Sequence, residues 1–345
     1  MVSCLYTPIL RWKQGERIGL KNLNNAIRPD VSPLIDISQN QYPSPKKTKV
    51  GITTPASNAL AKQLSDAWGK TKFFVDVSDL PGSQNAHHLD DIRTSANAAG
   101  LYLVPAIKSN SPPEYVAAVK RAIQADKRGV ALRISLSEMT SMANWINQWI
   151  CPPQETDLII DLRASAATVL ALGQSSIQSF QSLHQASAWR SVTIAGGSIP
   201  ATLTGYVVGV TMLPRSELTL WQNIVAAGVP FNLSFGDYAT IGPDAITEGI
   251  AGPVPINAKY TLPSEFAIFH GVKIKGPGAK PREDQYRNYA SQIKKMPNRN
   301  KIANCWGDDE IDRISLGPPE TPGSPASWVS YTVNRHIELT RSQLP

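Results

Sequence analysis

The sequence of 345 residues has little cysteine and little histidine, three residues of the first and five of the second. Cys4, Cys151 and Cys305 are far apart, and none has another cysteine or a histidine at zinc-ligand spacing. Such a sparse, odd set of thiols is typical of a reducing compartment and predicts no disulfide framework. P-loop, GxGxxG, HExxH and GxSxG patterns are also missing. Their absence argues against nucleotide triphosphatases, Rossmann dehydrogenases, zinc proteases and α/β-hydrolases.

Long apolar runs are missing as well. No stretch of about 18 hydrophobic residues is present, which predicts no membrane span. The first residues (MVSCLYTPIL) lead directly into a strand pattern, without the basic and apolar regions of a signal peptide. We therefore expect a cytoplasmic protein with no membrane partner. The net charge of +7 permits an anionic partner without requiring one.

Short apolar strands alternate with helices over the first two thirds of the chain. The strands are predicted at residues 5–13, 31–38, 72–77, 101–108, 129–135, 157–163, 189–200 and 229–241. Eight such units predict a parallel α/β sheet. Because the strands are apolar almost throughout, as strands buried on both faces are, the pattern favours closure into a TIM-like (β/α)₈ barrel. An open, doubly wound sheet is the alternative.

A helix is also predicted after the fifth strand. Met142, Trp145, Ile146 and Trp149 recur there at helical spacing, so that all four fall on one face. We expect this face to pack against the barrel rather than to form a stacking platform.

About a hundred residues follow the eighth strand. The runs 258–261 and 266–275 predict a β-hairpin inserted in the last βα loop, and a helix near 284–295 would then be the eighth barrel helix. The stretch 327–340 (SWVSYTVNRHIELT) is interpreted as one or two strands that cover the barrel mouth. We therefore expect a single domain, residues 1–345. In it, residues 1–241 form the barrel and residues 242–345 contribute the hairpin, the last helix and the covering strands.

Charged and hydroxyl residues recur at the carboxyl ends of the predicted strands, which meet at one face of a barrel. The set is Lys13, Glu16, Asp36, Asp76, Lys108, Arg133, Asp161, Ser198, Asp237 and Tyr238. Burying several carboxylates beside cations is costly unless they pair or hold a ligand. One interpretation is a site for a negatively charged substrate, together with a divalent cation such as Mg²⁺ or Mn²⁺. The other is a network of salt bridges that closes the barrel.

Two of these positions, and one histidine of the C-terminal stretch, suggest particular chemistry. Asp237 follows Gly236 at a strand exit, where its side chain could act as a base or a metal ligand, or simply stabilise the turn. Ser198 ends a Gly-Gly-Ser turn whose backbone N–H groups are suited to a phosphate. Histidine in general titrates near neutral pH, so His336 is a candidate acid or base, with a hydrogen-bonded structural histidine as the alternative.

A basic segment, residues 284–301, is the best candidate for nucleic-acid contact. Five cations are interleaved there with two tyrosines: Arg287, Lys294, Lys295, Arg299, Lys301, Tyr286 and Tyr289. Phosphate contacts combined with base stacking need such a mixture. Tyrosines three residues apart also pack helices onto cores, and that alternative stays open.

Ten short motifs occur in order over nearly the whole chain: LRWKQGE, FFVDV, GVALRIS, WRSVTIAGGSIP, LPRSEL, FGDY, AKYT, QY, WGDDEI and NRH, from Leu10 to His336. On these motifs the chain resembles the bacteriophage beta-protein family, whose members occur in phages, prophages and bacterial genomes. The resemblance implies that the tail belongs with the barrel as one unit. It adds to the candidate site the residues Lys259, Tyr260, Trp306, Asp308, Asn334 and His336.

Two positions depart from the family pattern. Asp36 stands where glutamate is expected, and Arg335 stands where a histidine usually precedes His336. The second departure weakens the case for a metal site built on paired histidines. The resemblance sharpens the site and leaves the reaction open.

Two hypotheses of different kinds follow. The first is an enzyme of phage or phage-defence context that hydrolyses or transfers a phosphate-bearing substrate, such as a nucleotide or nucleic acid. In it, Asp76, Asp161 and Asp237 hold a cation or act as base, and His336 is acid or base. The cations that neutralise phosphate are Lys13, Arg133 and Lys259. The second is a non-catalytic binding protein that senses or neutralises a phage or host component, such as a phage or host protein.

Overall fold

Eight parallel strands form a closed barrel in the computed structural model, which describes residues 5–47, 53–245 and 255–345. The barrel strands are β1 (Tyr6–Arg11), β2 (Leu34–Asp36), β3 (Phe73–Asp76), β4 (Leu103–Lys108), β5 (Val130–Ile134), β6 (Thr156–Asp161), β7 (Ser191–Gly196) and β9 (Leu233–Asp237). They follow one another around the barrel in chain order, and β9 closes it against β1, with Tyr6 opposite Phe235. The predicted (β/α)₈ barrel is confirmed, and the open sheet is wrong.

The helices are α1 (Gln14–Lys21), α2 (Ala56–Ala67), α3 (His88–Ala98), α4 (Pro113–Asp126), α5 (Leu136–Thr140), α6 (Ala166–Ala171), α7 (Gln174–Gln181), α8 (Ser216–Ala226), α9 (Arg282–Lys295), α10 (Trp306–Ile314) and α11 (Pro325–Gln343). Single 3₁₀ turns occur at Arg28–Asp30, Gln39–Gln41, Met142–Asn144, Ile146–Gln148, Pro153–Glu155, Arg163–Ser165 and Ala186–Ala188. The two-residue strands Lys46–Lys47 and Thr53–Thr54 pair antiparallel in the loop before α2. Within the described residues, no helix is long and apolar enough to cross a membrane.

The alternation of side chains along each strand separates an inner layer from an outer layer. Residues such as Leu34, Phe74 and Ile159 fill the inside of the barrel. Their neighbours Ile35 and Phe73 face outward and pack against the surrounding helices in a larger core. This alternation decides on which side of the barrel wall each polar residue at a strand end lies.

A second core lies outside the barrel. Strands β8 (Gly209–Pro214), β10 (Asn257–Thr261) and β11 (Glu265–His270) form an antiparallel sheet in the order β8-β11-β10. The aromatic residues of this sheet, α9, α10 and α11 pack together, as in the stacked pair of Tyr286 in α9 and Trp328 in α11. The hairpin insertion after the last barrel strand is confirmed. The third strand of this antiparallel sheet, β8, is not predicted from the sequence. It is short and half-exposed, and it pairs with residues more than fifty positions away in the chain.

The prediction of strands at residues 327–340 is wrong: the segment is part of the 19-residue helix α11. This helix packs along α1, where Gly15 and Gly19 allow close approach; a Cβ at Gly15 would lie 2.7 Å from Val329 Cγ1. It reaches the opposite end of the barrel, where Arg341 pairs with Asp30. The eighth barrel helix is therefore α11, not the helix near 284–295, which belongs to the second core.

The strand interpretation failed because tertiary contacts outweigh local propensity in α11. The segment is rich in β-branched and aromatic residues, and residues 330–340 are all buried because the helix lies between α1, the barrel and the second core. A start signal was nevertheless present. Ser324 accepts a hydrogen bond from the backbone N–H of Ser327, and Pro325 occupies the first helical position.

The helix expected over the Met142–Trp149 stripe is not continuous. The segment forms α5 and two 3₁₀ turns, in which the hydroxyls of Thr140 and Ser141 both donate to the carbonyl of Ser137. Such side-chain bonds to the backbone compete with helix propagation. The predicted packing against the barrel core is confirmed.

Candidate functional site at the barrel mouth

Arg133, at the end of β5, is the centre of the polar cluster inside the barrel mouth. Its side chain is 2% exposed. Nη1 lies 3.2 Å from Oδ2 of both Asp36 and Asp76, and Nη2 lies 2.8 Å from Oδ2 of Asp161. The hydroxyl of Tyr238 donates to the same Asp161 oxygen at 2.6 Å. One guanidinium therefore joins four strand ends.

The barrel register explains this convergence. Arg11 lies opposite Asp36, Asp36 lies opposite Asp76, and Lys108 lies opposite Arg133. Each of these residues continues the inward-facing row of its strand, after Ile9, Leu34, Phe74, Ala106 and Ala131. Lys108 Nζ completes the cluster at 3.0 Å from Asp76 Oδ2. Sequence reasoning missed Arg11; its position as the last inward residue of β1 was the available signal.

Charge and burial shift the pKa values of Asp36 and Asp76 in opposite directions. Burial and the neighbouring Asp76 raise the pKa of Asp36 above its ordinary value. Burial alone would also raise the pKa of Asp76, but Lys108 and Arg133 outweigh it and hold that pKa below its ordinary value. The carboxylates in turn raise the pKa of Arg133, which therefore stays charged despite its burial.

An open cleft of about 410 Å³ leads to this cluster; we name it the mouth cleft. Its lining includes Arg11, Asp36, Asp79, Lys108, Arg163 and Tyr238. The side chains of Asp36 and Lys108 are 36% and 33% exposed, whereas that of Asp76 is completely buried. A ligand in the mouth cleft would therefore meet Asp36 and Lys108 first.

A metal does not fit this donor set. The three strand-end carboxylates, Asp36, Asp76 and Asp161, are all directed at the guanidinium of Arg133, which lies between them. No group of three His, Cys, Asp or Glu side chains is arranged to hold a metal ion anywhere in the described residues. The described part of the chain thus offers no preformed set of three protein ligands for the Mg²⁺ or Mn²⁺ that the sequence suggested.

Asp237 and His336 lie on the other side of the barrel wall. Asp237 continues the outward row of Phe235, and its side chain meets α11. Its Oδ1 accepts from the Tyr6 hydroxyl at 2.8 Å and its Oδ2 lies 2.7 Å from His336 Nε2. His336 Nδ1 lies 2.9 Å from the hydroxyl of Thr261. Asp237 is 1% exposed and His336 is not exposed at all, so this cluster has no contact with solvent.

The pKa values of this outer pair fit a neutral histidine beside an ionised carboxylate. Burial would raise the pKa of Asp237, but His336 and Arg215 outweigh it and keep that pKa below its ordinary value. Burial lowers the pKa of His336 despite the attraction of Asp237.

Ser198 belongs to the outer side as well. It donates to Glu217 and accepts from the backbone N–H of Ser216, so it fixes the start of α8. Glu217 is fully buried, and burial raises its pKa to about 7. The hydroxyl of Ser198 is thus committed to a neighbouring helix rather than free for a phosphate.

Lys13 and Glu16 lie at the first turn of α1. The Glu16 carboxylate accepts from the backbone N–H groups of Arg11 and Lys13 at 2.9 and 3.3 Å. Burial outweighs these bonds and raises the pKa of Glu16 to about 8. Both residues line a second cleft beside the mouth, together with Lys259.

The remaining residues of the family pattern hold the tail together. Tyr260 donates to Asp308 at 2.6 Å, and Arg335 pairs with Asp308 at 3.1 Å, with all three side chains buried. Asn334 accepts from the backbone N–H of Gly307 and donates to the carbonyl of Gly19 in α1. These contacts join the second core to the barrel.

Trp306 belongs to the same cluster and packs edge-on against Tyr331 at 5.2 Å. Arg335, the residue that departs from the family pattern, therefore has a structural role as the partner of Asp308.

Some residues of the basic segment 284–301 are buried in the second core, and others are exposed. Tyr286 and Tyr289 are buried in the second core, and Arg299 is paired with Asp308 and Asp312. Lys294 and Lys295 are exposed on α9. The tyrosines are thus unable to stack on bases.

Fold and site together define a class: a (β/α)₈-barrel protein with a polar cleft at the carboxyl ends of its strands. A model of the Beta protein family matches residues 6–340. The chain belongs to this family, as the sequence motifs indicated. Protein beta of Enterobacteria phage P4 is similar to it, with 20% identity over 364 residues, which cover 96% of this chain and 91% of that protein. No solved structure matches the chain.

Proposed function

We propose that the protein is an enzyme that hydrolyses or transfers a phosphate-bearing substrate, such as a nucleotide or nucleic acid, at the barrel mouth. The observation that carries this function is the pair of Asp36 and Asp76. Both contact one nitrogen of Arg133, yet their pKa values are shifted in opposite directions. General acid–base catalysis uses such divergent neighbouring carboxyl groups. The similarity to a phage protein supports a phage or phage-defence context for this activity.

Asp36 is the proton-transfer group. It is the half-buried and more accessible carboxyl group of the pair and lines the mouth cleft, so a substrate reaches it directly. Its raised pKa brings its proton exchange closer to neutral pH. Asp76 lies deeper in the barrel than Asp36 and stays ionised. Its negative charge orients Arg133 and keeps the pKa of Asp36 above its ordinary value.

Lys108 and Arg163 supply positive charge for the phosphate. Both line the mouth cleft, and their side chains are 33% and 51% exposed. Each is paired with an aspartate, Lys108 with Asp76 and Arg163 with Asp244, and both have further donor hydrogens for an anion. Arg133 is too deeply buried to reach a ligand and positions the carboxyl groups instead.

The test is a screen of nucleotides, oligonucleotides and sugar phosphates, with and without Mg²⁺ or Mn²⁺, for turnover. The variant is Asp36→Asn, and the matched control is Asp79→Asn. Asp79 is exposed and lines the same cleft, and no ion pair joins it to Arg133 within the described residues. We expect Asp36→Asn to lower kcat by about a hundredfold or more, as loss of a general acid or base does. Asp79→Asn should remain near wild type.

An unchanged kcat in Asp36→Asn would show that Asp36 does not act as the general acid or base. Phosphate-bearing ligands that bind equally to the wild type and to Asp36→Asn, with no turnover in any condition, would favour the non-catalytic binding protein. Isothermal titration of the same ligands measures that binding.

A further inference from the structure

A second cleft, of about 830 Å³, lies beside the mouth, and the proposed acid–base chemistry does not use it. We name it the side cleft. Its walls are the first turn of α1, the loop 200–205, strand β10 and the first turn of α11. Much of this lining is apolar, including Pro200, Leu203, Ile241 and Val329.

Lys259 projects into the side cleft from β10. It lies on the same face of the strand as Asn257, while Ala258 and Tyr260 face the second core. Its amine has no hydrogen-bond or ion-pair partner in residues 5–47, 53–245 and 255–345. The side chain of Lys259 is half-buried, so its amine lies at the surface of the side cleft, where a ligand can reach it.

The charges around Lys259 disfavour its protonation. Arg11 is close enough to repel a charged amine, and burial and this repulsion together lower the pKa of Lys259 to about 8. Glu16, a carboxyl group in the lining, holds its proton to about pH 8 and is bonded to backbone N–H groups. A desolvated lysine beside another cation is the usual arrangement for an activated amine nucleophile.

We propose that Lys259 is a nucleophilic lysine that forms an imine with an aldehyde or ketone bearing an anionic group, bound in the side cleft. Lys13 lines this cleft and Arg11 lies close enough to act on Lys259, so positive charge favours an anionic ligand, and the apolar walls suit an organic one. This site is separate from Asp36 and does not depend on turnover at the mouth.

The step is balanced without a co-reactant. The neutral Nζ of Lys259 adds to the carbonyl carbon and gives a carbinolamine. Loss of one water, which carries away the carbonyl oxygen and the two amine protons, leaves a C=N bond. Nothing is oxidised or reduced, and water reverses the reaction.

Pyridoxal 5′-phosphate is the probe, because it combines an aldehyde with a phosphate. The whole protein is incubated with it near pH 7, reduced with borohydride and mapped by peptide mass spectrometry. At that pH an amine of pKa 8 is neutral on the order of a hundred times more often than an ordinary lysine. Since a weaker base is also a weaker nucleophile, we expect Lys259 to react about tenfold faster than the exposed Lys62 and Lys273.

Two comparisons decide the proposal. Pyridoxal, which lacks the phosphate, should label Lys259 more weakly, and the charge-conserving variant Lys259→Arg should lose the label while it keeps the labels on other lysines. The mapping on the wild type stands even where a variant fails to fold. Labelling of Lys259 no faster than Lys62 would overturn the nucleophilic lysine, and equal labelling by both aldehydes would overturn the anionic ligand.

Discussion

Replacement of Asp237 by alanine should lower the free energy of unfolding by about 3–5 kcal/mol, because three groups lose their buried hydrogen-bond partner at once. Asp237 joins β9 to β1 through Tyr6 and to α11 through His336. It also accepts from the backbone N–H of Ala239 at 3.0 Å. Alanine removes the acceptor from all three groups at once.

The magnitude follows from burial. Tyr6 and His336 have no exposed surface, so water does not replace the lost acceptor. Each buried donor left without a partner costs about 1–3 kcal/mol. Partial relaxation makes the total smaller than the sum, which gives the stated range.

Asparagine at the same position separates the hydrogen bonds from the charge. Its Oδ1 still accepts from Tyr6 and Ala239. Its amide donates to Nε2 of His336 when the imidazole moves its proton from Nε2, which donates to the carboxylate in the wild type, to Nδ1, which then donates to the hydroxyl of Thr261. We therefore expect Asp237→Asn to cost only about 1 kcal/mol, a typical net value for one altered hydrogen bond.

Equilibrium unfolding in urea, followed by tryptophan fluorescence and circular dichroism, measures these differences. Asp66→Ala is the surface control, because its ion pair with Lys62 is exposed and should contribute less than about 1 kcal/mol. A wild-type midpoint in Asp237→Ala would refute the structural role of this cluster. An equal loss in Asp237→Asn and Asp237→Ala would show that charge, not hydrogen bonding, holds α11 in place.

Two further substitutions test the electrostatics of the fold. Glu16 has a pKa of about 8 in the folded state and its ordinary pKa of about 4.5 in the unfolded state. Its contribution to the free energy of unfolding is therefore complete below about pH 4.5 and is lost as the pH rises toward 8. Glu16→Gln should flatten this decline in urea titrations, and an unchanged slope would contradict the prediction. Asp157, buried at the start of β6, accepts from Lys72 at 2.7 Å, Arg190 at 2.6 Å and Ser191 at 2.7 Å, so Asp157→Ala should cost about 3–5 kcal/mol while the mouth cleft keeps its ligand affinity. A loss of less than about 1 kcal/mol would show that its two cations are stabilised elsewhere.

The polar mouth was predictable because it depends on one geometric rule. Asp36, Asp76, Arg133 and Asp161 end parallel strands, and such ends meet at one face of a barrel whatever lies between them. The strands themselves follow from short apolar runs, which is why the closed barrel was visible in the sequence. Pairing to Arg133 depends on register, which a single sequence does not reveal.

The sequence prediction puts Asp237 at the mouth, whereas the alternation of side chains along β9 puts it on the outer side of the barrel wall. The run from Leu233 through Phe235 puts Asp237 on the outward, apolar row, and Tyr238 on the inward row. The assignment to the mouth treated the turn after Gly236 as free to aim either side chain inward. The two-residue period, continued through the glycine, keeps Tyr238 at the mouth, as predicted, and excludes Asp237.

The contacts of the C-terminal tail are harder to predict from the sequence, because the residues that form them are far apart in the chain. Asn334 bonds to Gly19, more than three hundred residues earlier, and Asp308 bonds to Tyr260 across the second core. No local pattern signals such contacts. The same contacts explain how residues 327–340 form a helix against their strand-like composition, since burial on several sides outweighs propensity.

Adjacent residues at the end of β9 connect the two clusters. Tyr238 contacts Arg133 and Asp161 inside the mouth, while Asp237 contacts Tyr6 and, through His336, helix α11. A strand end held on both sides of the barrel wall has little freedom to rotate, because a rotation that moves one side chain moves the other. The buried contacts of the tail thus fix the position of the Tyr238 hydroxyl at the mouth. This coupling gives a physical reason why family-pattern residues lie so far from the cleft: they hold the wall from which one of its side chains projects.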